Sequence, residues 1–492
     1  MLSWRNVLTC LVLLVLLLAG IWLRLHTLAA PFDRDSYDEG VYWQSLRAMA
    51  AGHGLYQSTF YSQPPFFLLA VFPIYTFFGQ TLWSARLGIV VLSLCGLPGA
   101  VCLGKAFGGR IGAIGALLLL TLNPLYLAES QILQAEAPST ALALLAVGLA
   151  YLWWENPTGL PGLLFALLAT LTLALGILSK LLALSALVPV GLLALAYIWR
   201  IVRQPAANRL VYARSLLIGS AVFILTLALV LLPFIGSLPQ LWSMVVTFHT
   251  AAKIHFIATQ AGNFATLKHF LKSPLAAAAL CGTLLALLRR DWRVLPLVAW
   301  LLATLYLLWQ QVPLFPHHLV ALVPPLVALA IAGCSPFSWS RQRSALLLNG
   351  ASVLTLLLIL FVASIDIGAI RQHYAGINAQ VASQGTQNDM QVVKDVEGAV
   401  APGQLIVTDA QFLAALANRD TPASLVDTSS VHIQTGYLTT RQVIAEAARP
   451  EVHGVLFYTG RISTLPGLRA WVSTHFRLIH DYGGGRGLWI KV

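Results

Sequence analysis

Long apolar runs separated by short polar loops occupy the first three-quarters of the chain. An α-helix needs roughly 17–25 such residues to cross a bilayer. Runs of this length predict eleven membrane-spanning helices, at 7–28, 82–104, 110–128, 137–154, 161–178, 181–200, 214–235, 274–289, 293–311, 317–333 and 345–366. One shorter run, 65–79, follows Pro64 and ends at Gly79.

The basic residues predict how these helices are oriented, because short loops rich in Lys and Arg favour the cytoplasmic side. If 65–79 does not span, every tight basic cluster falls on the side of the N-terminus. These clusters are Lys105 and Arg110; Arg200, Arg203, Arg209 and Arg214; Arg289, Arg290 and Arg293; and Arg341 and Arg343. We therefore expect a cytoplasmic N-terminus, an external C-terminus, and a 65–79 segment that lies along the outer surface or re-enters it.

This orientation places most acidic residues of the membrane part outside. Of the nine acidic residues up to Asp366, six lie in the outer loops: Asp33, Asp35, Asp38, Glu39, Glu129 and Glu136. Lys180, His317 and His318 also fall at outer helix ends. An ionisable group at membrane depth is unfavourable unless it is paired or lines a wet cavity. The pattern therefore predicts an outward-facing polar cavity.

After Asp366 the apolar runs shorten to strand length. Strands are predicted at 403–409, 423–427, 453–458, 476–480 and 488–492, with helices near 386–399, 410–418, 439–448 and 465–475. This alternation predicts a small parallel α/β domain over 367–492, outside the membrane and after a membrane domain over 1–366. The glycine-rich stretch 483–487 joins two strands and opens no helix, so it predicts a hairpin turn.

Composition supports a polytopic membrane protein. Of 492 residues, 58% are hydrophobic, and the mean hydropathy is +0.78, well above that of soluble domains. The net charge of +12 does not indicate a nucleic-acid partner, because the basic residues sit mostly in short loops that orient helices. The five cysteines lie in or beside apolar runs and indicate neither a disulfide framework nor a zinc cluster.

The adjacent acids Asp38 and Glu39 are the sharpest chemical signal. A carboxylate at a cavity mouth can act as a general base, although acids there can also simply keep a loop in water. Adjacent helical residues point about 100° apart, so only one of the two is expected to face a reaction. Glu136 begins a predicted span, where it would join the site or stabilise the helix N-terminus.

Basic groups are predicted to stand opposite these acids. Lys180 breaks an apolar helix pair and needs a carboxylate or lipid phosphate, unless it snorkels to the interface. His317 and His318 can pack, bind a divalent metal or donate to phosphate. The basic and aromatic loop 236–273 suits an anionic substrate or lipid head groups. A carboxylate base facing such groups fits displacement of a phosphate, whose charge Lys180, Arg86 or the histidines would stabilise.

An ordered set of motifs in residues 1 to about 335 resembles the GT-C glycosyltransferases, in particular the protein O-mannosyltransferases and the bacterial lipid A aminoarabinose transferases. The motifs are Tyr37-Asp-Glu-Gly-Val-Tyr42, Gln63-Pro-Pro-Phe66, Phe78-Gly79, Ala85-Arg86-Leu87, Asn123-Pro124, Glu136, Lys180, Pro316-His-His-Leu319 and Pro324-Pro325. Relatives usually have Asp where Glu136 stands, a basic residue where Gln63 stands, and often an aromatic or Arg at the His317-His318 pair.

The resemblance implies an inverting transfer of a sugar from a polyprenyl-phosphate donor to a hydroxyl of a protein, lipid or glycan, at the outer face of the plasma or inner membrane. Asp38 would be the catalytic carboxylate. Glu39 would orient the acceptor or support the loop, and Glu136 would hold a sugar hydroxyl or assist the base. The residues expected to bind the donor phosphate or substrate are Lys180, Arg86, His317, His318, Gln63 and Tyr42. The resemblance indicates no particular cofactor, and a requirement for a divalent metal stays open.

Two other functions fit parts of the pattern. A transporter or flippase for a lipid-linked or anionic solute would show internal repeats and broken helices at the membrane midplane. The sequence shows no clear repeat, and its ionisable groups gather at one face. A membrane scaffold whose outer domain binds partners would need no mutual geometry among Asp38, Glu136 and Lys180.

Overall fold

The computed structural model describes residues 4–35, 37–334 and 344–492. The predicted basic cluster Arg341 and Arg343 lies outside the described residues. The helices of the membrane part are α1 (Trp4–Leu25), α2 (Asp38–Ala50), α3 (Phe66–Phe77), α4 (Leu82–Ser93), α5 (Gly96–Leu122), α6 (Pro124–Glu129), α7 (Glu136–Glu155), α8 (Gly159–Ser179), α9 (Leu187–Val202), α10 (Ala206–Leu231), α11 (Leu238–Trp242), α12 (Phe248–His255), α13 (Gln260–Phe270), α14 (Pro274–Leu288), α15 (Leu295–Gln310), α16 (Val323–Ala332) and α17 (Ser344–Val381).

The C-terminal domain, residues 384–492, follows α17. Its elements are α18 (Gln384–Ala399), β1 (Leu405–Thr408), α19 (Gln411–Leu416), α20 (Ser430–Gln434), α21 (Thr440–Ala447), β2 (Val452–Phe457), α22 (Leu468–His475), β3 (Phe476–Gly483) and β4 (Arg486–Lys491). The predicted boundary between 366 and 367 falls inside α17, which continues to Val381. That boundary stays a prediction.

The described helices make this a multi-pass membrane protein. Eight of them are long and apolar enough to cross a bilayer, or nine if the pair Ile257–Phe270 and Pro274–Leu288, bent by 72°, counts as one span. α1 is only 6% buried over its apolar window, as expected for a helix whose side chains face lipid. Each of the eleven predicted spans contains helix, but their number stays a prediction.

The range assigned to α5 contains a chain reversal at Gly108 and Gly109. Both residues leave the helical conformation, and Gly109 has a φ of +57°, which favours glycine. The chain then folds back so tightly that a Cβ on Gly104 would lie 2.2 Å from the carbonyl oxygen of Gly112. This reversal agrees with the two separate runs that the sequence predicts at 82–104 and 110–128.

The segment 65–79 is too short to cross a membrane. Its helix α3 has 12 residues and contains Pro73, so it extends only about 18 Å where a bilayer core needs about 30 Å. One face is buried, through Phe67, Leu68, Val71 and Tyr75. The prediction that 65–79 does not span agrees with this length.

The bundle is organised around α7, whose apolar window is 89% buried. Its sequence is rich in Ala, Gly, Ser and Thr, and such small side chains let neighbouring helices approach closely without lipid between them. Glu136, the first residue of α7, is only 1% exposed. The most central helix therefore carries a carboxylate at its N-terminal end.

The sheet of the C-terminal domain is mixed, with strand order β1-β2-β4-β3. Only β1 and β2 are parallel, and β4 pairs antiparallel with both β2 and β3. The predicted parallel sheet is therefore only partly right, because β4 runs opposite to the other three strands and joins the sheet through the hairpin that it forms with β3. The hairpin turn predicted at 483–487 is correct, since β3 and β4 flank it.

The strand predicted at 423–427 is also wrong. Ala423–Leu425 form a single 3-10 turn after Pro422, a residue that cannot donate a backbone hydrogen bond to a sheet. The backbone N–H of Thr428 donates instead to the hydroxyl of Tyr37 at 2.7 Å. This stretch reads as a strand from its apolar residues, but it contacts the membrane part.

Candidate active site

A cavity of about 1340 Å³ lies between the membrane part and the C-terminal domain. Polar residues from several parts of the chain line it. They come from residues 33–63, from the loops and turns near 129, 180 and 317, from the end of α15, from α17, and from 427–430 and Arg461. Residues distant in sequence thus line one cavity.

Asp38 and Glu39 point in different directions, as their adjacency on a helix predicts. Asp38 lines the cavity and is half-buried, and none of the described residues donates a hydrogen bond to its carboxylate. Glu39 is 0% exposed. Its carboxylate accepts two bonds from Arg86, at 2.7 Å each, and backbone bonds from Arg34 and Leu133 at 3.0 and 3.1 Å.

Arg86 is equally buried and fully engaged. Besides Glu39, its guanidinium donates to the carbonyl oxygens of Leu28, Ala30 and Phe32 at 2.8–2.9 Å. Neither Arg86 nor Glu39 is among the residues that line the cavity. The expected contact of Arg86 with the donor phosphate is therefore corrected, because its guanidinium is engaged away from the cavity. The pair instead fixes the loop that leads to Asp38, which is one of the two roles that the sequence left open for Glu39.

The two adjacent carboxyls also differ in acidity. Burial, reinforced by the nearby Asp35 carboxylate, raises the pKa of Asp38 to about 7. Burial would raise the pKa of Glu39 too, but the Arg86 guanidinium outweighs it and lowers that pKa. Neighbouring carboxyls with separated pKa values can take different roles. Asp38 is the one poised to exchange a proton near neutral pH.

Glu136 gathers three basic side chains around one of its oxygens. Its Oε1 accepts an ion-paired hydrogen bond from the Lys180 ammonium. The Nε2 atoms of His317 and His318 lie 3.4 and 3.6 Å from the same oxygen. The other oxygen, Oε2, is buried and has no hydrogen-bond partner among the described residues. Lys180, His317 and His318 themselves line the cavity.

Local structure explains why these side chains meet. Lys180 is the residue at which α8 stops, with an extended backbone (φ −158°, ψ 139°). The two histidines lie in a 3-10 turn, Pro316–Leu322, that leads into α16. Both breaks in helical structure adjoin the beginning of α7. A carboxylate there also complements the positive end of the helix dipole.

Asp35 links the first loop to this cluster, and the sequence did not single it out as a site residue. Its Oδ1 lies 2.9 Å from Nδ1 of His317, whose Nε2 faces Glu136. His317 can donate to both carboxylates only as an imidazolium, because the neutral ring has one N–H. The only signal in the sequence was the density of acids in residues 33–39.

The remaining predicted residues also reach the cavity. Tyr42 and Gln63 line it. The ring of Tyr42 packs edge to face against Tyr61 and Phe67, with ring centroids 6.2 and 5.2 Å apart. The predicted loop 236–273 instead contains helices α11, α12 and α13. His249 of α12 lines the cavity, and its Nε2 lies 2.8 Å from the carbonyl oxygen of Ser62. Their binding roles stay predictions.

Glu129 is a cavity residue that the sequence analysis left without a role. It is 5% exposed, lines the cavity, and its Oε2 is buried without a partner among the described residues. Burial, followed by the repulsion of the Glu136 carboxylate, raises the pKa of Glu129 to about 8. At pH 7 this carboxyl is therefore mostly neutral and can donate a hydrogen bond.

The cluster of Glu136, His317 and His318 has a spacing that could hold a metal ion, with ligand atoms within 4.8 Å of one another. Its hydrogen bonds argue against one. Lys180 already neutralises Glu136, and the backbone N–H of Phe315 donates to Nδ1 of His318 at 3.2 Å. The proton of the neutral ring must then sit on Nε2, the atom that faces Glu136. The donor set does not fit a divalent metal.

The class of fold follows from comparison with known proteins. A family model described as dolichyl-phosphate-mannose-protein mannosyltransferase matches residues 52–251, a range that contains Arg86, Glu136 and Lys180 but not Asp38. No curated protein matches the sequence. Over the matched range, the resemblance to the protein O-mannosyltransferases that the motifs predict is confirmed.

The particular structures that the chain resembles are those of ArnT from Cupriavidus metallidurans. The apo crystal structure has a TM-score of 0.60 at 14% identity, over 99% of this chain and 98% of that one. The crystal structure bound to undecaprenyl phosphate also gives 0.60 and 14%, over 100% and 99%. Membrane part and C-terminal domain thus share one overall fold with ArnT.

Proposed function

We propose that this protein is an inverting glycosyltransferase, which moves a sugar from a polyprenyl-phosphate donor to a hydroxyl acceptor on the outer side of the membrane. One observation carries the proposal: the carboxylate of Asp38, to which no described residue donates a hydrogen bond, shares a cavity with the basic cluster at Lys180. The match to a mannosyltransferase family model and the undecaprenyl phosphate bound to ArnT support a lipid-linked donor.

Asp38 acts as the general base. It takes the proton of the acceptor hydroxyl while that oxygen attacks the anomeric carbon of the donor sugar. The bond between the anomeric carbon and the phosphate oxygen breaks in the same step. The polyprenyl phosphate leaves as a stable anion, so no general acid is required. A single displacement inverts the anomeric configuration.

Lys180 and His318 stabilise the departing phosphate. Lys180 uses one N–H to bind Glu136, and its remaining N–H groups are available to a ligand in the cavity. Nε2 of His318 carries a proton when Nδ1 accepts from Phe315. Such fixed donors stabilise charge that develops during the reaction. Glu136 positions both groups, and Glu129 offers a neutral hydrogen-bond donor to a sugar hydroxyl.

We expect the transfer rate to fall in mild acid. A base must be ionised, and the pKa of Asp38 is raised to about 7. Below that pH, kcat/KM should drop about tenfold per pH unit, and above it the rate should level off. The measurement is kcat/KM from pH 5 to 9, with folding followed in parallel. A flat profile down to pH 5 would exclude Asp38 as the base.

Glu129→Gln should retain transfer within about threefold at pH 7, because a neutral amide replaces a neutral carboxyl of the same shape. Glu129→Leu, which cannot form hydrogen bonds, should raise the KM for the donor about tenfold or more. The measurement is steady-state transfer by both variants. If Glu129→Gln loses activity as fully as Glu129→Leu, Glu129 works as an anion instead.

The proposed function is tested with purified protein and a panel of labelled polyprenyl-phosphate sugars, with protein, lipid and glycan acceptors. We expect release of polyprenyl phosphate and a glycoside of inverted configuration. The same donors are then placed inside sealed vesicles that contain the protein. If intact donor crosses the bilayer and none is consumed, the protein is a transporter and not a glycosyltransferase.

A further inference from the structure

The helix that begins with Asp38 is packed against the C-terminal domain. Gly40 of α2 lies so close to α19 that a Cβ would come within 2.4 Å of the backbone nitrogen of Phe412. Glycine is the residue that permits this approach. One turn further on, the rings of Trp43 and Phe412 meet edge to face, with centroids 5.6 Å apart. The first half of α2 is thereby fixed to α19.

Polar contacts continue the attachment along α2. The side-chain amide of Gln44 donates to the carbonyl oxygen of Arg419 at 3.0 Å and accepts from the backbone N–H of Thr421 at 3.4 Å. Arg47 forms a salt bridge with Asp420 at 2.6 Å. Gln44 is 1% exposed, and a buried amide is costly to leave without partners. The C-terminal domain therefore supports α2 along its length.

Tyr37, directly before Asp38, also contacts that domain. Its hydroxyl accepts the backbone N–H of Thr428 at 2.7 Å and donates to Oγ1 of Thr428 at 3.0 Å. Oγ1 of Thr428 in turn donates to the carbonyl oxygen of Thr408 at 3.1 Å. The Arg461 guanidinium lies 4.0 Å from the centre of the Tyr37 ring. Tyr37 is 8% exposed and Thr428 0%.

We propose that the C-terminal domain positions the catalytic carboxylate through the hydrogen bonds between Tyr37 and Thr428. Because no described residue bonds the Asp38 carboxylate directly, its place in the cavity depends on how its backbone is held. A general base must come within about 3 Å of the proton it removes, and a displacement of about 1 Å can cost about a hundredfold in rate. Tyr37 and Thr428 are thus positioning residues, and the inference rests on the proposed function.

The test compares Tyr37→Phe with Tyr482→Phe in the full-length protein. Tyr37→Phe removes both hydrogen bonds and keeps the ring under Arg461. Tyr482→Phe removes a hydrogen bond within the C-terminal domain, which the Tyr482 hydroxyl donates to Asp395 at 3.0 Å. Tyr482 does not line the cavity. We expect Tyr37→Phe to lower kcat about tenfold or more, with the donor KM within about twofold. Tyr482→Phe should match the wild type.

Two further readouts separate positioning from folding. Amide hydrogen exchange of residues 31–45 should be faster in Tyr37→Phe than in wild type or Tyr482→Phe. The reason is that the hydrogen bonds between Tyr37 and Thr428 are lost while the fold persists. Thr428→Ser, which keeps the hydroxyl and the N–H, should retain the wild-type kcat. An unchanged kcat in Tyr37→Phe, or an equal loss in Tyr482→Phe, would overturn the inference.

These outcomes are distinguishable from failure of the proposed function. If the wild type transfers no sugar from any donor, the proposed function fails and the inference with it, whatever the exchange rates. If the wild type is active but Tyr37→Phe has normal kcat and normal exchange, only the positioning role fails.

Discussion

Asp38→Asn is expected to lower sugar transfer about a thousandfold while the protein still folds. The amide has the size of the carboxylate but cannot accept the proton of the acceptor hydroxyl, and general bases contribute about 10²–10⁴ in rate. Because no described residue bonds the Asp38 carboxylate, its replacement should leave the surrounding structure in place. The measurement is the transfer rate per folded molecule.

Asp33→Asn is the matched control, since Asp33 lies in the same loop and lines the same cavity. Its Oδ1 accepts the backbone N–H of Asp35 at 2.9 Å, a bond that the oxygen of an asparagine amide can also make. We expect this variant to stay within about fivefold of the wild-type rate. Activity of Asp38→Asn at that same level would remove Asp38 from the role of base.

Arg86→Leu is expected to destabilise the protein by about 3–5 kcal/mol, the usual cost of removing one partner from a buried ion pair. Both side chains of the Glu39–Arg86 pair are 0% exposed, so the variant leaves an uncompensated carboxylate in the interior. It also removes the hydrogen bonds that Arg86 donates to the carbonyl oxygens of Leu28, Ala30 and Phe32. The measurement is the melting temperature and the yield of monodisperse protein.

Arg441→Leu provides the control for this effect, because Arg441 is exposed on α21 and its loss should change stability by less than about 0.5 kcal/mol. The opposite outcome would support the sequence-based expectation that Arg86 binds the donor phosphate. In that case Arg86→Leu would have the melting temperature of the wild type, and only its binding of the donor would be weaker.

The apolar runs predict the membrane helices well because a spanning helix needs length and hydrophobicity, and both are local properties. The chemistry of single residues is less local. Adjacency predicts that Asp38 and Glu39 diverge, but not which of them faces the cavity. That depends on Arg86, 47 positions further along the chain, whose guanidinium donates two hydrogen bonds to the Glu39 carboxylate. An arginine in an apolar helix gives no sign of whether its partner is a carboxylate or a substrate.

The sequence predicts only part of the site, for a similar reason. Glu136, Lys180, His317 and His318 stand out because charge is rare in apolar helices, and the structure brings all four together. Asp35 and Glu129 do not stand out, since they lie in polar loops where acids are common. Tyr37 pairs with Thr428 across 391 positions, and neither residue type signals such a contact.

The C-terminal domain shows where local patterns mislead. The run 423–427 has strand-like composition, but its neighbour Thr428 gives its N–H to Tyr37 instead of to a sheet. The direction of strands is also not encoded in their apolar pattern. The glycine-rich turn at 483–487 makes β3 and β4 a hairpin, and this local signal correctly predicts their pairing.

The most direct test of a shared catalytic cavity is an experimental structure of the protein with bound polyprenyl phosphate. We expect the phosphate within about 4 Å of the Lys180 ammonium and the His318 ring, the range of direct charge-assisted contacts. The space beside it should be open to the Asp38 carboxylate. A phosphate bound elsewhere, with Asp38 and Lys180 on separate surfaces, would contradict the account.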